Sequence, residues 1–152
     1  MDFKIVIVDY PAKQLVGVKV LTNMKTAIED CPKAWQNFMP RMTEVCSSPQ
    51  ESFGVSVMLN ENDFEYWAAV EMNPQLPMPE GLEMVSIKSG TYACCTVPTI
   101  ERLGEAYTYI FSTWLQGQSE YVANYEANSF ELYQTNWQPS SPFEICMAVK
   151  KK

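Results

Sequence analysis

Residues 73–81 form a proline-rich run that separates two segments with the same order of structural patterns. Each proline lacks an amide donor and fixes its backbone, so the run predicts an irregular linker. On each side, strand-like residues come first, then an amphipathic helix and then two further strands. The repeated order predicts a duplicated α+β fold in one domain, 1–152, with halves at about 1–73 and 82–152. The prolines are Pro74, Pro77 and Pro79.

In the first half, apolar residues at helical spacing predict a helix that begins at Pro32 and carries Trp35 and Phe38 on one face. Pro40 removes an amide donor within this pattern, so we expect the helix to break near Met39. β-branched and aromatic residues predict strands. The expected strands are residues 3–8, 14–21, 53–59 and 64–72, where the first two could also form one long bent strand. Residues 23–30 are expected to form a turn or a short helical turn, and turns or loops are expected at 47–49 and 60–63.

The second half repeats this order. A helix is expected from about Thr99, which could cap it, to Gly117, which is typical of a helix end. Its apolar stripe includes Tyr107 and Trp114. The expected strands are residues 82–87, 91–97, 130–135 and 143–149. A loop that carries Tyr121 and Tyr125 is expected between the helix and the third strand.

Composition restricts the classes of function. The net charge of −7 disfavours a nucleic-acid partner, because phosphate backbones are repelled. The chain has no histidine, which excludes Ser/His/Asp and Cys/His catalysis and histidine-containing metal sites. No apolar run approaches the ~20 residues of a membrane span, and the N-terminus has no signal-peptide pattern. We therefore expect a cytoplasmic protein with no membrane, metal or cofactor requirement.

Five cysteines without CxxC spacing predict reduced thiols rather than a disulfide framework or a zinc site. Cys94 and Cys95 are adjacent in a predicted strand, so their side chains should point to opposite faces. We interpret both as small core residues.

Several motifs together resemble one known family. The second half contains 89–93 (SGTYA), 111–115 (FSTWL), 130–133 (FELY) and 143–149 (FEICMAV), and the first contains 15–18 (LVGV) and 53–55 (FGV). In this order and spacing they are similar to the GyrI-like, AraC-type effector-binding domains. The last strand departs from the family, which usually ends in an Ile-Pro-like pair.

The resemblance implies βαββ halves that form an antiparallel sheet with two main helices and a central ligand crevice. It implies an amphipathic, aromatic and often cationic ligand, with a buried glutamate as its charge partner, at the position of Glu131. This chain would be a stand-alone member without a DNA-binding module. Some such members sequester ligands, some act on proteins such as gyrase, and some resemble hydrolases of strained cyclopropane-containing toxins.

Strand alternation places Glu131 and Tyr133 on one face, with Phe130 and Leu132 on the other. A carboxylate among aromatic side chains would favour a cation or hold a proton. The alternative is a solvent-facing glutamate on an amphipathic strand.

Further candidate ligand-binding residues lie on other elements. Glu71 lies on the same face of its strand as Trp67. It could supply a second negative wall of the ligand site or be a charge at the rim of that site. Flat aromatic side chains stack on planar or cationic ligands, although aromatics at helical spacing are more often core. The candidate aromatic walls are Trp35, Trp67, Tyr92, Trp114 and Tyr133.

Three functions follow. The leading one is a small-molecule binding domain for drug or effector sensing or sequestration. The second is a hydrolase in which Glu131 is the general base and Tyr133 or Tyr92 orients water or stabilises charge. The third is a protein-interaction inhibitor, such as a gyrase modulator, that uses its acidic surface.

Overall fold

The computed structural model describes residues 3–46 and 50–152, and within them nine β-strands and two main helices make up the fold. The pairings between strands are antiparallel, so the predicted α+β class with an antiparallel sheet is confirmed. The loop predicted at residues 47–49 lies outside the described residues. The strands are β1 (Ile5–Tyr10), β2 (Lys13–Asn23), β3 (Ser52–Met58), β4 (Asp63–Glu71), β5 (Glu83–Ile87), β6 (Gly90–Val97), β7 (Tyr121–Ala123), β8 (Ser129–Tyr133) and β9 (Phe143–Lys151).

The strand order has an internal symmetry. Along the sheet the strands run β1-β6-β9-β8-β3-β4-β2-β5, with β7 paired to β9. The equivalent strands of the two halves are β1 and β5, β2 and β6, β3 and β8, and β4 and β9. If each strand is replaced by its equivalent, the order is the same read in reverse. Each half therefore has two strands before its helix, and the first of them crosses over: β1 pairs with β6, and β5 pairs with β2. The halves meet at the β3–β8 pair.

Helix α1 (Ala27–Phe38) begins earlier than the sequence predicted. Asn23 Oδ1 accepts two backbone amide protons of the preceding turn, at 2.9 and 3.0 Å, which holds the chain ready to enter the helix. Pro32 consequently lies inside α1 rather than in its first turn. The carbonyl that Pro32 leaves without a helical partner belongs to Ile28, which is 85% exposed, so water can hydrate it. The break near Met39 is confirmed, because α1 gives way there to a 3₁₀ turn (Met39–Glu44).

The second main helix spans residues 103–117 and changes geometry along its length. It runs from α2 (Leu103–Thr108) through a π-helical segment (Tyr109–Trp114) into α3 (Leu115–Gly117), after a 3₁₀ turn (Ile100–Arg102). Thr99 precedes that turn, but its side chain makes no capping hydrogen bond. The predicted loop at Tyr121 instead contains β7, which pairs with the end of β9.

Both helices pack on the same face of the sheet. α1 covers an apolar cluster of the first half that includes Phe38 and Tyr66, and α2 covers a second cluster that includes Ile110 and Tyr133. The opposite face has one continuous cluster, in which the ring of Phe130 contacts those of Tyr10, Phe53 and Tyr92. The junction of the two helix-side clusters is therefore the place where groups from both halves can meet.

The cysteines are only partly as expected. Cys94 and Cys95 belong to clusters on opposite faces, as alternation predicted. Cys94 and Cys146 lie directly opposite each other on β6 and β9, with a Cα–Cα distance of 4.1 Å, and form a disulfide. The prediction of five free thiols is therefore wrong for this pair, because sequence spacing did not reveal that β6 and β9 are neighbours in this register. Cys31, Cys46 and Cys95 are free.

None of the helices in the described part of the chain is both long and apolar enough to cross a membrane.

Candidate ligand-binding site

Glu131 lies at the centre of the sheet, on β8, where the two halves meet. Only 4% of the residue is exposed, and together with Thr22 it makes up the buried polar residues of the described chain. Its strand neighbours Phe130 and Leu132 point to the opposite face. The carboxylate therefore projects toward the helices, into the junction of their two apolar clusters.

Three phenol groups donate hydrogen bonds to this carboxylate. Oε1 accepts from Tyr66 at 2.7 Å and from Tyr133 at 2.6 Å, and Oε2 accepts from Tyr107 at 2.5 Å. Tyr66 comes from β4 of the first half, Tyr133 from β8 itself and Tyr107 from α2. Distances this short are typical of charge-assisted O–H···O⁻ bonds. The three tyrosines and Glu131 form one network built from both halves, and we call it the carboxylate cage.

Trp35 on α1 closes the cage from the first half. Its indole Nε1 donates to the Tyr66 hydroxyl at 2.9 Å, and its ring meets the Tyr133 ring edge to face at 5.5 Å. The Tyr133 ring also stacks on Phe143, with centroids 5.0 Å apart. These contacts fix the orientation of the phenols that hold Glu131.

Gly54 on β3 provides the space that the carboxylate occupies. It is the direct partner of Glu131 in the β3–β8 pair. A Cβ atom at this position would lie 2.2 Å from the Tyr66 hydroxyl oxygen and 2.6 Å from Glu131 Oε1. No side chain larger than hydrogen can therefore stand there without displacing the cage.

The surroundings of Glu131 have opposing effects on its pKa. Burial raises the pKa of Glu131, while the hydrogen bonds from Tyr107, Tyr133 and Tyr66 act to lower it, and the net change is upward. Burial and the neighbouring Glu131 charge together raise the pKa of Tyr66, Tyr107 and Tyr133, so these hydroxyls remain donors. No lysine or arginine in residues 3–46 and 50–152 forms an ion pair with Glu131. The carboxylate is held by neutral donors alone.

Cys31 on α1 is electrostatically coupled to the cage. Burial, followed by the charge of Glu131, raises the pKa of the Cys31 thiol to about 12. The thiol is therefore neutral at ordinary pH and adds no second negative charge beside Glu131.

The structure brings together only some of the predicted site residues. Glu131, Tyr133 and Trp35 meet in the cage. Trp114 is half-buried and packs against the apolar cluster under the second helix. The other three, Trp67, Glu71 and Tyr92, lie on the opposite face of the sheet.

Each of these three has other contacts there. The Trp67 indole donates to Glu65 at 3.2 Å, the Tyr92 hydroxyl donates to the Lys88 carbonyl at 2.7 Å, and Glu71 forms an ion pair with Lys13 at 3.4 Å. They do not form one site with Glu131.

Sequence reasoning missed Tyr66, Tyr107 and Gly54 as members of the site. Tyr66 fell within the predicted strand 64–72 without a role of its own, and Tyr107 was interpreted only as part of an apolar stripe. A signal was present, because a buried tyrosine hydroxyl needs a hydrogen-bond partner. An isolated glycine inside a strand, such as Gly54, also signals close approach of another group.

The expected crevice is filled by the cage's own side chains around the carboxylate. Cavities formed by the described residues lie elsewhere. One of about 330 Å³ borders Leu21 and Leu59, and one of about 130 Å³ lies beneath the linker at Leu76. Access to Glu131 consequently requires side chains around it to move. Tyr107 of the cage and the neighbouring Trp35 are partly exposed.

Comparison with solved structures supports the same architecture. The integron cassette protein of Vibrio cholerae superposes with a TM-score of 0.68 at 17% identity, covering 97% of each chain. SAV2435 bound to tetraphenylphosphonium gives 0.72 at 19%, covering 99% of this chain and 94% of that one. The C-terminal domain of EcmrR gives 0.69 at 14%, covering all of both chains. At these identities the matches establish the fold.

Among curated proteins, the transcriptional regulator BrlR of Pseudomonas aeruginosa is 27% identical over 109 residues, which is 70% of this chain. The match spans only 40% of the length of BrlR.

The family model that matches most of the chain places this fold in the effector-binding class. The chain belongs to the family described as integron-associated effector binding protein, whose sequence model matches residues 6–149.

Proposed function

We propose that this protein binds amphipathic aromatic cations, with Glu131 as the charge partner of the ligand. The observation that carries the proposal is a buried carboxylate with three phenol donors and no basic partner among the described residues. Burying a charge without a counter-charge is costly. A ligand cation would supply that counter-charge, which gives the site a preference for positive over neutral or negative molecules.

The aromatic side chains around the carboxylate would supply the remaining affinity. Trp35 and Tyr107 are partly exposed and come from the two main helices, so a ligand would reach Glu131 between these helices. Phe111 is 37% exposed and stacks on Tyr107, with centroids 5.9 Å apart, which extends the aromatic surface outward. Aromatic faces attract cations and bury apolar ligand surface. SAV2435, which shares the fold, has tetraphenylphosphonium bound.

The test compares two ligands of one shape and opposite charge, tetraphenylphosphonium and tetraphenylborate. We expect the cation to raise the melting temperature of the protein and the anion to have no effect. Glu131→Gln should weaken cation binding by at least about 30-fold, since truncating one partner of a buried charge pair costs about 2 kcal/mol or more. Titration calorimetry measures the change.

Glu71→Gln is the matched control, because Glu71 is an exposed carboxylate on the opposite face of the sheet. This variant should bind the cation as the unmodified protein does. If Glu131→Gln and Glu71→Gln weaken binding equally, the net negative charge of the protein rather than the cage accounts for it, and the proposal fails.

A further inference from the structure

A second concavity lies beneath the proline-rich linker, separate from the carboxylate cage. It has a volume of about 130 Å³, and its walls come from β2, the 3₁₀ end of α1, the end of β4, the linker and β5. None of the cage residues lines it. The apolar side chains that line it are Val16, Val45, Met72, Leu76, Met78 and Met84.

The linker is held over this cavity by hydrogen bonds at both ends. At the start, the Met72 amide donates to the Gln14 carbonyl of β2 at 2.8 Å, and the Leu76 amide donates to the Asn73 carbonyl at 3.1 Å, which forms a turn within the linker. At the end, Arg41 Nη2 donates to the Glu80 carbonyl at 2.7 Å, while the same guanidinium is fixed by Glu44. The cavity roof is therefore an ordered strap anchored to the 3₁₀ turn.

Gly81, next to the anchored Glu80, allows Arg41 to lie this close to the linker. Gly81 has a φ of +87°, and a Cβ there would lie 2.9 Å from the Arg41 guanidinium. Both the conformation and the approach favour glycine.

The lining determines which molecules the cavity can take. Asn73 is its polar member, and among the described residues no charged side chain lines it. Among the lining residues, Val16 and Val45 are buried, whereas Leu76, Met78 and Met84 are 40%, 43% and 50% exposed. Methionine side chains adapt to ligands of varied shape. A charged ligand would lose its hydration without gaining a partner here.

We propose that this cavity is a second binding site, for a small neutral apolar molecule of about the size of one aromatic ring. A cavity of ~150 Å³ lined by apolar side chains can bind benzene, and the volume of this half-open cavity is similar. The occupant would bury exposed leucine and methionine surface between the strap and β5. This site does not depend on Glu131, so it stands or falls separately from cation binding.

Methionine-methyl NMR with benzene as the probe tests the proposal. Benzene should cause saturable shifts of the Met72, Met78 and Met84 methyl signals, each assigned by a single Met→Leu substitution. The signals of Met58, which is 44% exposed on β3, and of Met147 in the core should not move. An absence of saturable shifts at benzene's solubility limit, or equal shifts at Met58, would overturn the proposal.

Two further variants separate this site from its surroundings. Met84→Gln, at a half-exposed position on an edge strand, should weaken benzene binding at least about fivefold, because it replaces apolar wall with an amide. Met58→Gln is the matched control and should leave binding unchanged. Glu131→Gln should also leave benzene affinity unchanged. If Met84→Gln binds benzene as tightly as Met58→Gln does, the probe does not occupy the cavity and the inference is wrong.

Discussion

Gly54 and Glu131 are direct partners across the junction between the two halves, and the carboxylate oxygen occupies the space where a side chain on Gly54 would stand. Gly54 thus leaves the space for the carboxylate, and Glu131 supplies the carboxylate.

Gly54→Ala should consequently disrupt the cage. The added methyl would meet the Tyr66 hydroxyl and Glu131 Oε1 at distances that no normal contact allows. We expect a loss of about 1–3 kcal/mol in the free energy of unfolding, as for other overpacked sites, and loss of cation binding. Urea denaturation and calorimetry measure the two effects. Gly104→Ala is the control, because nothing lies within 4 Å of a Cβ there, and it should not destabilise the protein.

Loss of the Tyr66 hydroxyl and loss of the Tyr107 hydroxyl should not reduce the stability of the protein equally. Tyr66→Phe removes the bond to Glu131 and leaves the Trp35 indole without its acceptor, whereas Tyr107→Phe removes one bond only. A hydrogen bond to a charged group contributes about 1.5–3 kcal/mol. Chemical denaturation at neutral pH should therefore rank Tyr66→Phe as more destabilising than Tyr107→Phe. Tyr125→Phe, at an 89% exposed position, should have almost no effect, and the reverse ranking would contradict the network.

The stability of the protein should depend on pH through Glu131. Because burial raises its pKa in the folded state, folding favours the protonated form. Unfolded chains release this proton near the ordinary value of 4.5, so stability falls as pH rises from there through the raised pKa and then levels off. Glu131→Gln lacks this titration. The free energy of unfolding of the unmodified protein minus that of Glu131→Gln should decrease with pH in this window, and a difference that increases would show a lowered pKa.

The thiol count provides an independent check of the strand register. Cys94 and Cys146 are joined, and the other three cysteines are free. Under denaturing conditions without reductant, a thiol reagent should detect three groups, and after reduction it should detect five. Cys94→Ala should release Cys146 and give four free thiols both before and after reduction. Detection of five thiols before reduction would mean that the pair is not joined in the isolated protein.

Much of the fold could be predicted from the sequence because its signals are local. Apolar alternation located the strands, and Pro40 located the end of α1. The start of α1 was misplaced because Pro32 is a common first-turn residue, and the side-chain hydrogen bonds of Asn23 were not visible in the pattern.

The site was harder to predict because it depends on pairing between distant strands. Alternation correctly grouped Glu131 with Tyr133 and Glu71 with Trp67. It could not show that these two groups lie on opposite faces, because the relative phase of β4 and β8 is set by their registers with β3. Tyr107 reaches the carboxylate from a helix, and no strand pattern contains that information.

The crossover of β1 has a consequence for how the chain is made. Ile5 of β1 pairs with Cys95 of β6, so β1 is synthesised 90 residues before its partner. On the ribosome, β1 must remain unpaired while β2, α1, β3 and β4 emerge and can already associate with one another. Contacts of such long sequence separation slow folding. Addition of β1 to the edge of the sheet therefore depends on the late synthesis of β6. Nascent chains that stop before β6 should expose an apolar strand to chaperones.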